Sequence, residues 1–330
     1  MRDYKMLEKI GEGTYGQVYK AINREGRVVA IKKTRLDLEQ GGVPSTTLRE
    51  VSVLQSLNES IHIVRLLDVE HTREQERSVL FMVPSVVQAF EYLPMDLKKF
   101  LEDQWKHELL PLELVKVLMY QLLKGVAYLH GRGMMHRDLK PSNLLINDSN
   151  PDVPCLKIAD LGLARVFHIP IRPYTHEIMT LWYWAPEVLL GTTHYALPID
   201  MWSVGCIFSE LLTGQPLFES DCEIQQLMCI FQVLGTPTEE VWKGVTKLQD
   251  WHTFPQWKPR DLARAYPDLG SDSVDLLRGM LQYQPARRIS AKEALKHPFF
   301  AELDKEGIDE YLAVQCASNN PSSAGQGQGE

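Results

Sequence analysis

His136-Arg137-Asp138-Leu139-Lys140-Pro141-Ser142-Asn143 is the stretch on which the reading of this chain turns. It is too polar, and too broken by Pro141, to be the interior of a helix or strand. Upstream, residues 114–129 (LVKVLMYQLLKGVAYL) are apolar at helical spacing and close on Gly131 and Gly133. That reads as a buried helix with a stop signal. Downstream, Leu144-Leu145-Ile146-Asn147 and Leu156-Lys157-Ile158-Ala159 read as two short strands, followed by the acidic turn Asp160-Leu161-Gly162. A scaffold helix, a polar loop, a hairpin and a second acidic turn can hold metal- and proton-handling groups on rigid supports. Catalytic residues tend to sit on loops carried by such a frame.

The bulk composition sets bounds around this core. A length of 330 residues suggests about two domains. With 44% hydrophobic and 24% charged residues there is apolar material for real cores. A formal charge of -8 argues against sequence-blind nucleic-acid binding, which rests on basic patches, so no nucleic-acid partner is expected. Cys155, Cys206, Cys222, Cys229 and Cys316 are odd in number and none has C-x-x-C spacing. A reduced, intracellular chain with cysteines acting as small buried hydrophobes is expected. Met1 to Lys5 has no apolar signal core, and Arg2 stands where myristoylation needs Gly. The longest apolar stretch, Trp202 to Leu212, is too short and polar to span a bilayer, so no membrane association is expected.

At the N-terminal end, Tyr4 to Ile10, Gln17 to Ile22 and Val28 to Thr34 alternate as three strands, with turn chemistry at Asn23-Arg24-Glu25-Gly26. The first turn is Gly11-Glu12-Gly13-Thr14-Tyr15-Gly16-Gln17-Val18. In a dinucleotide-binding unit a helix would follow it; here a strand follows. A glycine-rich hairpin lets backbone amides approach phosphates with no Cβ in the way. Val29-Ala30-Ile31-Lys32 then places a lysine among apolar strand residues, where its charge needs an anionic partner. Pro44 to Glu50 opens an amphipathic helix with Val51, Val53, Leu54 and Leu57, and Glu50 is the natural partner for Lys32. The alternative is two ordinary surface charges that never meet.

Taken in order, these motifs resemble the eukaryotic protein kinases, and within them the cyclin-dependent kinases. The glycine loop, V-A-I-K, H-R-D-L-x-x-x-N, an Asp-x-Gly turn and Ala185-Pro186-Glu187 stand in the family's order and spacing. The resemblance covers residues 4 to about 301. Pro44-Ser45-Thr46-Thr47-Leu48-Arg49-Glu50 is similar to the family's cyclin-binding helix. Its Thr46-Thr47-Leu48 variant, with Asp160-Leu161-Gly162 for the usual Asp-Phe-Gly, resembles the B-type group of plants and algae. The resemblance implies an α+β, two-lobed kinase fold. A small, mainly antiparallel β lobe with one regulatory helix (about 4–92) would precede a larger, mainly helical lobe (about 97–301). A C-terminal extension, 302–330, would be disordered from about residue 316, where Ser, Asn, Gly, Gln and Pro dominate.

The same resemblance implies the roles. Phosphoryl transfer needs positioning and charge neutralisation more than covalent chemistry. Lys32, held by Glu50, would contact the α and β phosphates of ATP, and Asn143 and Asp160 would hold Mg²⁺. Asp138 would accept or orient the substrate hydroxyl's proton. Lys140 would sit near the transferred phosphoryl, and Lys-x-x-Asn here resembles Ser/Thr specificity. Ile10, Gly11, Glu12, Gly13, Thr14, Tyr15, Gly16 and Val18 of the glycine loop would bind the nucleotide together with Ala30, Asp96 and Leu145. Phe90, Glu91 and Leu93 look like the hinge, with Phe90 the gatekeeper and the backbone bonding adenine.

Regulation follows on the same terms. Thr175 aligns with the activating phosphorylation site, and Arg49, Arg137 and Arg165 with the arginines that collect its phosphate. Such a phosphate adds about -1.5 to -2 charge and needs cations. Without it the arginines would repel one another. Thr14 and Tyr15 match inhibitory sites, where a phosphate would crowd those of ATP. Partners implied are a cyclin, Ser/Thr protein substrates, activating and inhibitory kinases, and a small regulatory subunit docking on residues 235–262. Cell-cycle control and a nuclear and cytoplasmic location also follow from the resemblance. Exposed aromatics among Trp242, Trp251 and Trp257 would support the docking patch, and buried ones would mean packing. Asp200 is expected to cap the catalytic loop backbone, and Glu187 to pair with Arg288.

The sequence departs from the family at two places. Trp184 stands where W-Y-R-A-P-E has Arg, whose bond to the carbonyl of the residue matching Met179 favours Pro after the target Ser/Thr. Proline-directed specificity is therefore expected to be relaxed. Pro84-Ser85-Val86-Val87-Gln88-Ala89 looks like six added residues between strand and hinge, which would shift the adenine site, loop outward harmlessly or reflect an artefact of the gene model. The rival to an active kinase is a cyclin-binding pseudokinase, which intact Lys32, Glu50, Asp138, Asn143 and Asp160 disfavour. A metabolite kinase of this fold is more distant.

Overall fold

The structure, a computed structural model, describes residues 4–13, 16–35, 51, 53–75, 82–161, 165–166, 180–192, 196–265 and 269–318. The chain divides into two compact units, one of residues 1–94 with 157–162, the other of 95–156 with 163–330.

The first unit is built on one antiparallel sheet of five strands, ordered β1-β2-β3-β5-β4. The strands are β1 (Tyr4–Gly13), β2 (Gly16–Asn23), β3 (Val28–Arg35), β4 (Leu66–Gln75) and β5 (Met82–Glu91). The three strands read from alternation are all present. Gly16 takes φ +148° at the β1–β2 turn, open to glycine and strained for other residues. In the β2–β3 turn Asn23 Oδ1 accepts from the amides of Glu25 and Arg27, and Gly26 supplies φ +78°. One face of the sheet packs Ala21, Val29, Ile31, Val87 and Ala89 beneath Tyr4 and Met6. Period-two alternation puts Val18, Ala30, Lys32, Gln88 and Phe90 on the other.

Residues 84–89 do not loop out between strand and hinge; they lie within strand β5. β5 pairs with β3 from Arg35–Ser85 to Val29–Glu91 and with β4 from Gln75–Met82 to Leu66–Phe90. Val86, Val87, Gln88 and Ala89 are all buried, as in a central strand covered on both faces. Pro84, with no N–H to give, stands opposite Arg73 of β4. The strand expected at residues 80–83 is described only in its second half. Its last two residues open β5, and its first two lie outside the described residues.

Residues 157–162 group with the first unit. Ile158 forms a parallel bridge with Ile63, its amide donates to His62 O and its carbonyl accepts from Val64 N, both at 2.9 Å. Lys157 Nζ meets both carboxylate oxygens of Glu91 at 2.8 Å. These ties join the segment to the first unit. Of the regulatory helix, 51 and 53–56 are helical, with Leu54 and Leu57 buried; its opening lies outside the described residues.

The second unit is helical. Helix α1 (Leu97–Gln104) starts where Asp96 Oδ1 accepts from Lys99 N at 3.0 Å. Helix α2 (Leu112–Gly131) is the one read from residues 114–129 and is buried along most of its length. Helix α3 (Pro198–Thr213) is apolar all round and buried from Ile199 to Leu212, which makes it the core of this unit. Helices α4 (Glu223–Leu234), α5 (Ser271–Met280) and α6 (Lys305–Ser318) follow. Among the described residues no helix is long and apolar enough to cross a membrane.

In the irregular stretch 235–262 the aromatics pack. Trp242 stacks on Tyr283 at 6.1 Å, Phe231 meets both Trp251 and Phe254, and Trp242 and Phe254 are buried. The C-terminal extension is helical from Lys305 to Ser318, and 319–330 lie outside the described residues. Helix α6 buries Ile308 and Leu312, and Asp309 Oδ2 accepts from Tyr120 OH at 3.0 Å and Lys124 Nζ at 2.8 Å. All five cysteines are free; Cys206 is buried, but Cys222 is exposed ahead of α4, against the expectation of buried hydrophobes.

Candidate active site

In the second unit the loop 136–143 is held from beneath by α3. Asp200, buried on its first turn, accepts from the amides of His136 at 2.9 Å and Arg137 at 2.8 Å. His130 Nε2 meets the same carboxylate at 2.9 Å. Burial alone would raise the Asp200 pKa. The hydrogen bond from His130, the charges of His130 and His136 and the Arg137 amide outweigh it and hold the carboxyl below its usual value. Arg137 takes φ +76°, a region sparsely populated by residues other than glycine, and its amide bond to Asp200 helps hold it there.

This turn presents Asp138 beside Lys140 and Asn143. Asp138 Oδ2 lies 2.8 Å from Lys140 Nζ and 3.0 Å from Asn143 Nδ2, which also donates to Asp138 O at 2.7 Å. The Asn143 amide is thereby oriented: its nitrogen is spent on Asp138, and its oxygen remains an acceptor. Leu144–Asn147 then forms a strand between Met95–Asp96 and Cys155–Ile158, which anchors the loop's exit and carries Leu145.

In the first unit Lys32 Nζ lies 3.0 Å from Asp160 Oδ1. Asp160 also has left-handed backbone, φ +56°. The lysine of β3 thus meets the acidic turn. Glu50, its expected partner, lies outside the described residues, as do Thr14, Tyr15, Arg49, Gly162 and Thr175. Of Arg165 only the backbone is described, in a short pairing with Met135. Ile10, Gly11, Glu12 and Gly13 end β1, and Val18 and Ala30 share the Lys32 face with Phe90. Glu91 turns its carboxylate to Lys157 and the Arg65 amide, so toward a nucleotide it has only backbone to offer. Asp96 spends Oδ1 as a helix cap.

Two structural expectations hold. Arg288 forms a two-pronged pair with Glu187, both distances 2.6 Å and both residues buried. Asp200 caps the loop. Sequence reasoning missed three residues. Tyr183 donates to Glu210 at 2.7 Å, tying the Trp182–Ala185 segment to α3; burial raises the Glu210 pKa despite that bond. Gln88 carries a buried amide nitrogen with no partner among the described residues. Lys157 is buried against Glu91. Only a lysine inside an apolar strand pattern, the signal that singled out Lys32, marked Lys157 in the sequence.

A protein kinase domain model matches residues 4–300. The chain is 54% identical over 306 residues to cyclin-dependent kinase B2-1 of Oryza sativa subsp. japonica, covering 92% of this chain and 91% of that protein. It is 55% identical over 309 residues to cyclin-dependent kinase B1-1 of Arabidopsis thaliana, covering 92% and 99%. With cell division control protein 2 homolog D of Antirrhinum majus the identity is 54% over 312 residues, covering 93% and 97%. These relatives set the pseudokinase and metabolite-kinase alternatives aside. The chain belongs to the protein kinase family and, within it, to the B-type cyclin-dependent kinases of plants.

Proposed function

We propose that this kinase transfers the γ-phosphoryl of ATP to protein Ser/Thr in cell-cycle control, activated by a cyclin and by phosphate on Thr175. The observation that carries the reading is the Asp138–Lys140–Asn143 cluster on a loop held by Asp200. With Oδ2 taken by Lys140 and Asn143, Asp138 has Oδ1 to receive the proton of a substrate hydroxyl. Lys140 would carry positive charge to the transferred phosphoryl, and Lys32 to the α and β phosphates. The backbone of Glu91 and Leu93 would bond the adenine edge beside Phe90.

The donor set suits magnesium. Asn143 Oδ1 and the Asp160 carboxylate are hard oxygen ligands, and such a cation is held by a few of these with waters and phosphates. Bound there, it would neutralise charge on the phosphates during transfer.

Arg49, Arg137 and Arg165 would collect the Thr175 phosphate, and phosphate on Thr14 or Tyr15, placed by other kinases, would oppose ATP. A nuclear and cytoplasmic location accords with a cell-cycle role. A small regulatory subunit would dock on residues 235–262, where Trp242 is buried while Trp251 and Trp257 are half-buried. Trp184 in place of Arg is expected to relax the preference for Pro after the target residue. A peptide array with Pro or Ala at that position tests this. If Trp184→Arg prefers Pro no more strongly than the natural chain, the idea fails.

The deciding experiment is transfer from ATP to a Ser-Pro peptide, with and without cyclin and Thr175 phosphate, and with Asp160→Asn as the blank. Transfer that needs cyclin and vanishes in the blank supports the reading. Transfer undiminished in the blank would refute it.

A further inference from the structure

Lys157 enters no step of the reaction, yet it is only 4% exposed. A buried ammonium is costly unless paired and hydrogen-bonded. Its partner is Glu91 at the end of β5, whose two carboxylate oxygens both lie 2.8 Å from Nζ. Glu91 Oε1 also accepts from Arg65 N at 2.8 Å, and Glu91 N donates back to Arg65 O at 3.1 Å. The neighbouring residues 62–64 grip Ile158 through its amide and its carbonyl, both at 2.9 Å. One buried ion pair and a short run of backbone bonds therefore join β5, residues 62–65 and residues 157–158 into a single clamp.

Asp160 stands two residues beyond this clamp. Its backbone is left-handed, and its Oδ1 lies 3.0 Å from Lys32. A carboxylate in a sparsely populated backbone region keeps its aim when the chain leading to it is over-determined. The clamp supplies that constraint on the N-terminal side. We propose that Glu91 and Lys157 are positioning residues: their ion pair fixes the arm that carries Asp160, and so sets how well Asp160 serves Lys32 and the magnesium of bound ATP. This rests on the reading of Asp160 as a magnesium ligand. Partners that orient a metal ligand without touching the metal are worth about 10–100-fold in metal affinity.

The test is equilibrium binding of a non-hydrolysable ATP analogue to the full chain by calorimetry, with and without Mg²⁺. The ratio of the two affinities is the readout. Lys157→Met and Glu91→Gln are expected to cut that ratio about tenfold. A merely structural role would weaken both affinities alike and leave the ratio unmoved. The charge-swapped pair Glu91→Lys/Lys157→Glu is expected to recover part of the ratio. Glu91→Gln keeps its size and an acceptor for the Arg65 amide, so it decides the matter if Lys157→Met fails to fold. A natural ratio in Glu91→Gln, with the ratio lost in Asp160→Asn, overturns the inference and leaves the functional reading standing. A natural ratio in Asp160→Asn overturns the magnesium role of Asp160 and the inference together.

Discussion

Replacing Asp200 by Asn tests how the catalytic loop is held. The carboxylate accepts from two loop amides and from His130, at 2.8 to 2.9 Å, while fully buried. An Asn has one acceptor oxygen, so its NH₂ must face at least one of these donors. A hydrogen bond to a charged group contributes about 1.5–3 kcal/mol, and a neutral one about 1 kcal/mol. One bond lost and the rest weakened amount to about 3 kcal/mol. For a chain of this size that is a fall in Tm of about 4 °C. Arg137, no longer pinned at φ +76°, would relax and carry Asp138 with it, so peptide phosphorylation should fall further than stability alone explains. The pH dependence has a definite sign. The Asp200 pKa is depressed in the folded state, so its contribution is present above the unfolded carboxylate value of about 3.9 and is lost as pH falls through the folded value. The stability gap between the natural chain and Asp200→Asn should be full at neutral pH and shrink in acid. Calorimetric melts across pH, with phosphorylation assays at neutral pH, measure both. A variant that melts within about 1 °C of the natural chain at neutral pH, or a gap that persists unchanged in acid, would refute the reasoning.

Gln88→Leu should stabilise the first unit. A buried donor left without a partner costs about 1–3 kcal/mol, and Leu removes it at similar volume; a urea melt less stable than the natural chain would count against this. Arg288→Met should destabilise by about 3–5 kcal/mol, because it leaves the Glu187 carboxylate buried and unpaired. The double variant Glu187→Leu/Arg288→Met should cost less than that single change, and a double variant worse than the single would contradict the pairing argument.

How much was legible in the sequence depended on the range of the cause. The first three strands, α2, α3 and the hairpin after Asn143 were all readable, because periodicity and turn chemistry act over a few residues. The Asp138 loop was readable because its residue types have no purpose in a core. The strand β5 was not. Pro84 and Gln88 are poor strand residues, and the apolar run just before them looked the better strand. The pairing of β5 with β3 and β4 together decided otherwise, since a strand between two others gains hydrogen bonds and burial on both sides.

The sequence by itself pointed to the family, to the candidate reacting groups and to several of the elements that carry them. Those depend on local pattern and on the order of motifs. Tertiary structure alone decided which atoms are committed and which remain for chemistry. It spends Asp138 Oδ2 on Lys140 and Asn143, and it turns the Glu91 side chain to Lys157. It also hangs Asp160 from the first unit through Ile158. Asp200 reaches His136 across 64 positions and Glu91 reaches Lys157 across 66, separations at which no local spacing rule operates. Such pairs form only because burying the surrounding apolar surface brings their segments together, and a charge buried in that process must find its partner there.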